Sequence, residues 1–119
     1  MPKKLSHIFL LVCVFLWASL SFGFLVVIDP GHGGNDGGAK SEDAKESSIV
    51  LNVSNLLATA LKADGRFEVK MTRQRDEFVT LEDRADFANK AKADLFISIH
   101  TNWSEDPKAR GKEIYFQNQ

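Results

Sequence analysis

The sequence predicts an α/β domain with a mainly parallel, twisted sheet flanked by helices, and three observations carry that prediction. Short apolar runs of strand length recur along the chain, segments with apolar residues at three- and four-residue steps lie between them, and the two kinds alternate. Such alternation needs crossover helices, which cover the faces of a parallel sheet. A chain of 119 residues allows one domain at most. Its 44% hydrophobic and 26% charged residues are those of an ordinary globular protein, with no collagenous or low-complexity signature.

Residues 1–23 differ from the rest. Lys3 and Lys4 precede an apolar run over residues 8–17, and the small residues Ala18, Ser19 and Ser21 lead to Gly23. This pattern reads as a secretory signal peptide, with cleavage expected after Gly23 and, as second choice, after Leu20. The competing reading is an uncleaved membrane anchor, because apolar residues continue through Ile28 and approach the ~20 needed to span a bilayer. The sole cysteine, Cys13, lies inside the apolar run, so residues 24–119 hold no thiol. Without Lys3 and Lys4 the remainder carries 13 basic and 16 acidic residues, a formal charge of −3. No clustered basic excess exists to hold nucleic acid, and contact with a membrane is expected only in passing, through the signal peptide.

Residues 24–29 form a continuous apolar run ending at Pro30 and Gly31, as expected of a strand buried on both faces. The loop over residues 30–45 is rich in glycine and acids and too polar for a core. From Glu46 to about Asp64, the residues Ile49, Val53, Leu56, Leu57, Ala60 and Leu61 mark the apolar face of a helix that Gly65 stops. Residues 67–72 predict a second strand. Thr80 and Asp83 resemble a capping box opening a second helix to about Ala91. Residues 95–99 predict a third strand. After a polar loop with Pro107 and Gly111, residues 113–116 read as a fourth, on which the sequence stops.

Beyond the signal segment only two histidines remain, His32 and His100, each just after the carboxyl end of an expected strand, where ligands of open α/β sheets gather. With a carboxylate at a helix start they make a two-nitrogen, one-oxygen zinc set, leaving one position for water. Glu46, on the first helical turn, is the carboxylate chosen, since the helix dipole favours an anion there. Glu42 and Asp43 are rivals in the loop, and Asp29 and Asp36, close to His32 in sequence, stay open. A structural role is the plain alternative for each: a hydrogen-bonded histidine, a first-turn helix acid. The glycine-rich residues 31–38 lack the lysine of a phosphate-binding loop and the spacing of a dinucleotide fingerprint.

Several separated motifs then become recognisable. They are Val27-Ile-Asp-Pro-Gly-His-Gly-Gly34, Asp36 with Gly38 and Ala39, Glu46, Thr72 and Arg73 with Asp76, Leu81 with Arg84, Ala88 and Asn89, residues 93–100 followed by Asn102, and Gly111. In this order and spacing the chain resembles the zinc-dependent N-acetylmuramoyl-L-alanine amidases of the type-3 family over most of residues 25–117. The resemblance implies that residues 24–119 are the N-terminal part of a catalytic domain whose full form has a mixed six-stranded sheet, and that one zinc ion is held by His32, Glu46 and His100. It implies hydrolysis of the amide between N-acetylmuramic acid and L-alanine of peptidoglycan by zinc-activated water, in a secreted or periplasmic setting, with any activator protein unspecified. It also implies that Asp29 and Asn102 orient the histidines, with a strand-end turn role as the alternative. Arg73 and Arg84 are expected as structural ion-pair formers in preference to substrate contacts. Such amidases continue well past the point matching Gln119 and carry a second catalytic glutamate there. Neither Glu105 nor Glu113 occupies its position, so the expectation is an incomplete domain and a weak catalyst. The alternatives are a zinc-binding, wall-associated protein without hydrolysis and a remnant without function.

Overall fold

The structure, a computed structural model, describes residues 23–41, 44–102, 104–106 and 108–116. The expected signal peptide up to Phe22, with the anchor reading, and the loop acids Glu42 and Asp43 fall outside the described residues. Three strands, β1 (Phe24–Pro30), β2 (Phe67–Met71) and β3 (Leu95–Ile99), alternate with two helices, α1 (Glu46–Asp64) and α2 (Leu81–Ala91). The sheet has the order β2-β1-β3 and both pairings are parallel, Val26 lying opposite Val69 on one side and Leu95 on the other. Among the described residues the sheet is therefore parallel throughout, and no antiparallel strand joins it.

The central strand owes its place to its residues. Leu25, Val26, Val27 and Ile28 are all buried, which suits a strand with neighbours on both edges and a helix over each face. Val26 and Ile28 share one face, where they meet Ala58 of α1 with Leu57, Leu61, Phe67, Val69, Met71, Ile97 and Ile99 around them. Asp29 lies on the opposite face, as alternation along a strand requires, and there it pairs with Arg84 of α2 at 2.7 Å. The chain runs from β1 outward to β2 and then back across β1 to β3. Right-handed crossovers in opposite directions place their helices on opposite faces of a sheet.

The helix termini follow their sequence signals. Gly65 closes α1 in a left-handed conformation, φ 78°, with its N–H on the Lys62 carbonyl. Thr80 caps α2: its Oγ1 accepts from the Asp83 N–H at 3.0 Å and donates to the Asp83 carboxylate at 2.8 Å.

Two expectations are corrected. The face of α1 turned to the sheet is Val50, Ser54, Leu57, Ala58 and Leu61, whereas Ile49, Val53 and Leu56 are exposed. The helix is apolar over more than one face, and small Ser54 and Ala58 let it approach the strands closely, so the stripe marked by the largest residues is not the buried one. Residues 113–116 form no strand: they have no ladder partner among the described residues, and Ile114, Tyr115 and Phe116 are more than 80% exposed. An apolar run needs a free, aligned edge to become a strand, and alternation in the sequence does not supply one.

Candidate metal centre

The carboxyl ends of β1 and β3 lie side by side at the point where the chain reverses its direction across the sheet. His32 follows β1, His100 follows β3, and Glu46 opens α1 above them. A backbone bond from Gly31 N to the Ile99 carbonyl, 3.0 Å, ties the two strand ends together.

Glu46 is fixed by the loop that precedes it. No side chain caps α1; instead Glu46 N donates to the Ala39 carbonyl at 2.8 Å and Ser47 N to the Gly37 carbonyl at 3.1 Å. The loop backbone thus takes up N–H groups that a helix start leaves unpaired. The carboxylate, 5% exposed, accepts from Ala39 N at 2.9 Å through Oε2 and from Thr101 N at 2.8 Å through Oε1. Each oxygen also faces one histidine: Oε2 lies 3.3 Å from His32 Nε2 and Oε1 lies 3.3 Å from His100 Nδ1. Burial pushes the Glu46 carboxyl up, but the two backbone N–H groups and the two histidines outweigh it and hold the group below the ordinary carboxylate range.

The imidazoles meet edge to face, ring centroids 4.9 Å apart. His32 is half-buried, with φ 57°, and its Nδ1 lies 2.9 Å from Asp36 Oδ2. That contact, followed by the Gly38 N–H, lowers the Asp36 pKa. Two glycines make room. A Cβ on Gly31 would stand 2.3 Å from His100 Cε1, and one on Gly38, at φ 65°, would stand 2.6 Å from both Glu46 Oε2 and His32 Cδ2.

One donor atom from each of His32, Glu46 and His100 lies within 4.8 Å of the others. They line an open cleft of about 600 Å³ with Ala39, Lys40, Thr101 and Asn102. Two imidazole nitrogens and a carboxylate oxygen on one open side match the donors of a catalytic zinc site, and the residues present fit such an ion.

The remaining candidates stand elsewhere. Asp29 touches neither histidine; it accepts from Thr72 Oγ1 at 2.6 Å, Arg84 Nη1 at 2.7 Å and Ser98 Oγ at 2.8 Å beneath the site. Asn102 lines the cleft but gives its Nδ2 to Glu113 Oε2 at 2.8 Å. The carboxylate on the second nitrogen of His32 is Asp36, which the sequence left open only as a rival metal ligand. Arg84 forms the expected ion pair with Asp29 and also holds the Pro30 and His32 carbonyls at 2.7 and 2.8 Å. Arg73 forms no ion pair among the described residues and donates to four backbone carbonyls. Its role departs from the expectation, and nothing in the sequence distinguishes a guanidinium that binds carbonyls from one that binds a carboxylate.

Comparison with known proteins bears on the same residues. The family model described as N-acetylmuramoyl-L-alanine amidase matches residues 26–119. The chain is 45% identical over 91 residues to the endolysin of Bacillus phage SPP1, covering 76% of this chain and 33% of that protein. It is 40% identical over 92 residues to the N-acetylmuramoyl-L-alanine amidase AmiA of Escherichia coli strain K12, covering 76% and 32%. Among solved structures, the N-acetylmuramoyl-L-alanine amidase of Clostridium difficile 630 superposes with a TM-score of 0.69 at 36% identity, over 74% of this chain and 48% of that one. The chain thus spans about a third of the length of these curated relatives and about half of the solved domain.

Proposed function

The chain belongs to the N-acetylmuramoyl-L-alanine amidase family, and on that premise we propose that it takes part in zinc-dependent hydrolysis of the amide joining N-acetylmuramic acid to L-alanine in peptidoglycan. The observation that carries the proposal is the convergence of one donor atom from each of His32, Glu46 and His100 within 4.8 Å at an open cleft. These three side chains would hold one zinc ion. When bound, zinc polarises a carbonyl oxygen and lowers the pKa of water toward about 7, so that hydroxide is available at neutral pH.

The chain's own residues do the rest by placement. Asp36, 2.9 Å from Nδ1 of His32, is placed to accept a hydrogen bond from that nitrogen, which would leave Nε2, on the Glu46 side, to the metal, the usual service of a carboxylate to a ligating histidine. The N–H groups of Ala39 and Thr101 hold Glu46 as an anion, and its oxygens keep lone pairs for a cation. In the reaction, hydroxyl from water joins the lactyl carbonyl carbon, the C–N bond breaks, and the amine of L-alanine leaves with a proton. An open cleft suits a polymeric substrate, which must enter from the side.

A second reading, zinc binding in the wall without turnover, rests on one observation. Glu46 is the only carboxylate lining the cleft among the described residues, and a ligand to the metal is not free to act as general base. Glu113, one of the two glutamates that follow His100, is held by Asn102 Nδ2 and Tyr115 OH. Loss of a general base costs ~10²–10⁴ in rate. The setting proposed is the bacterial cell envelope, reached by export and cleavage after Gly23. N-terminal sequencing of the exported chain tests that route; retention of residues 1–23 in a membrane fraction would oppose it.

The test of the activity is release of stem peptide from purified peptidoglycan with and without a chelator. Release abolished by chelator and restored by zinc supports hydrolysis. Zinc binding with no release supports the second reading, and chelator-insensitive release contradicts both.

A further inference from the structure

Thr72 and Arg73 follow directly on β2, beside the carboxyl end of β1. From there the Arg73 side chain, 1% exposed, lies across the loop that carries His32. Its Nε donates to the Pro30 carbonyl at 2.9 Å, Nη1 to Arg75 O at 3.0 Å, and Nη2 to both Gly31 O at 2.7 Å and Ser47 O at 2.8 Å. Gly31 is the residue before His32, and Ser47 is the residue after Glu46. One guanidinium nitrogen therefore bridges the two segments that carry two of the three donors.

A buried cation with no carboxylate at ion-pair distance among the described residues is costly to desolvate, and burial, then the Arg84 charge, lowers the Arg73 pKa against the pull of Asp76, Asp29 and Glu77. The fold keeps that cation at the place where it joins two pieces of backbone. His32 stands in a left-handed conformation that side-chain-bearing residues rarely adopt, and such a conformation persists where its surroundings over-determine it. Arg73 from one side and Arg84 from the other take the carbonyls of Pro30, Gly31 and His32 in succession. Only a planar fan of donors can do this, and lysine, a single point charge, cannot.

We propose that Arg73 is a positioning residue of the metal centre: by holding the Gly31 and Ser47 carbonyls on one guanidinium it sets the separation of His32 from Glu46, and with it the affinity for a divalent metal. The inference rests on the reading of His32, Glu46 and His100 as a metal site.

The test uses the whole chain, unsubstituted, with Arg73→Lys, and with Val26→Ala, a core substitution on the α1 face of β1. Zinc affinity is measured by competition with a chromogenic chelator, and coordination is read from the visible spectrum of the cobalt(II)-loaded protein. Arg73→Lys should lose about 10–100-fold in zinc affinity, the scale for groups that orient metal ligands, and its cobalt absorption should weaken or shift. Val26→Ala should lower the melting temperature and leave affinity and spectrum as they are. If Arg73→Lys is unfolded in plain buffer, the titration is repeated in sucrose, which favours the compact state. Native affinity and spectrum in Arg73→Lys overturn the inference, as does an equal loss in Val26→Ala or a variant still unfolded in sucrose. If the unsubstituted chain binds neither metal, the reading of the site fails and takes the inference with it; binding there with an unaltered Arg73→Lys defeats the inference alone.

Discussion

Replacing Asp29 by alanine strips the buried Arg84 of its charge partner. The pair is 2.7 Å apart, with side chains 4% and 6% exposed, and the same carboxylate serves Thr72 and Ser98. Removing one member of such a pair costs about 3–5 kcal/mol, because the other charge is left buried and uncompensated. Thr72 and Ser98 add little, since both reach solvent and can take water instead. At roughly 4–8 °C per kcal/mol for a small domain, the melting temperature should fall by at least ~12 °C. Asp29→Asn, which keeps one acceptor oxygen and turns an amide N–H toward the other hydroxyl, should fall less. The assay is urea unfolding followed by far-UV circular dichroism, comparing midpoints at equal slope. A loss below about 1 kcal/mol for Asp29→Ala would show that the carbonyls of Val79, Pro30 and His32 satisfy Arg84 unaided. The ion pair would then not be what fastens α2 to the sheet.

Other outcomes follow from the same geometry. Gly38→Ala drives a methyl group to within 2.6 Å of Glu46 Oε2 and His32 Cδ2, so zinc affinity should fall by at least tenfold in a chelator competition; unchanged affinity would mean the loop yields freely. Because the Glu46 pKa in the metal-free fold lies below its ordinary 4.5, its contribution to stability is present above that value and disappears as pH falls through the depressed one. Glu46→Gln should therefore flatten the acid limb of the metal-free melting curve, and identical slopes would refute the assignment. Thr80→Ala removes the α2 cap and should cost about 0.5–2 kcal/mol in urea unfolding, with zinc affinity unaffected.

Strand and helix positions were readable wherever one local rule decided them. The four apolar residues 25–28, closed by Pro30 and Gly31, read as a strand flanked on both sides, Gly65 ends α1, and Thr80 with Asp83 opens α2. His32 and His100 were readable as neighbours because each follows a strand at the carboxyl edge of a parallel sheet, and topology converts that property into proximity; Glu46 was chosen from several carboxylates by its place at a helix start and by the family resemblance. What stayed hidden depends on partners far away in sequence. The buried face of α1 is chosen by how closely Ser54 and Ala58 let it approach the sheet, and not by where its largest residues lie. Whether residues 113–116 pair depends on an edge their own sequence does not contain. Asp29 and Arg73 have the chemistry to serve several roles, and only the fold shows that one anchors α2 while the other gathers backbone carbonyls.

The most direct test of the account is anomalous diffraction at the zinc absorption edge from crystals of the chain grown with zinc. The account predicts one strong peak per chain within ~2.0–2.2 Å of His32 Nε2, a Glu46 carboxylate oxygen and His100 Nδ1, with Asp36 still on His32 Nδ1. Crystals that show no peak among these three residues, or one held by other ligands, would contradict it.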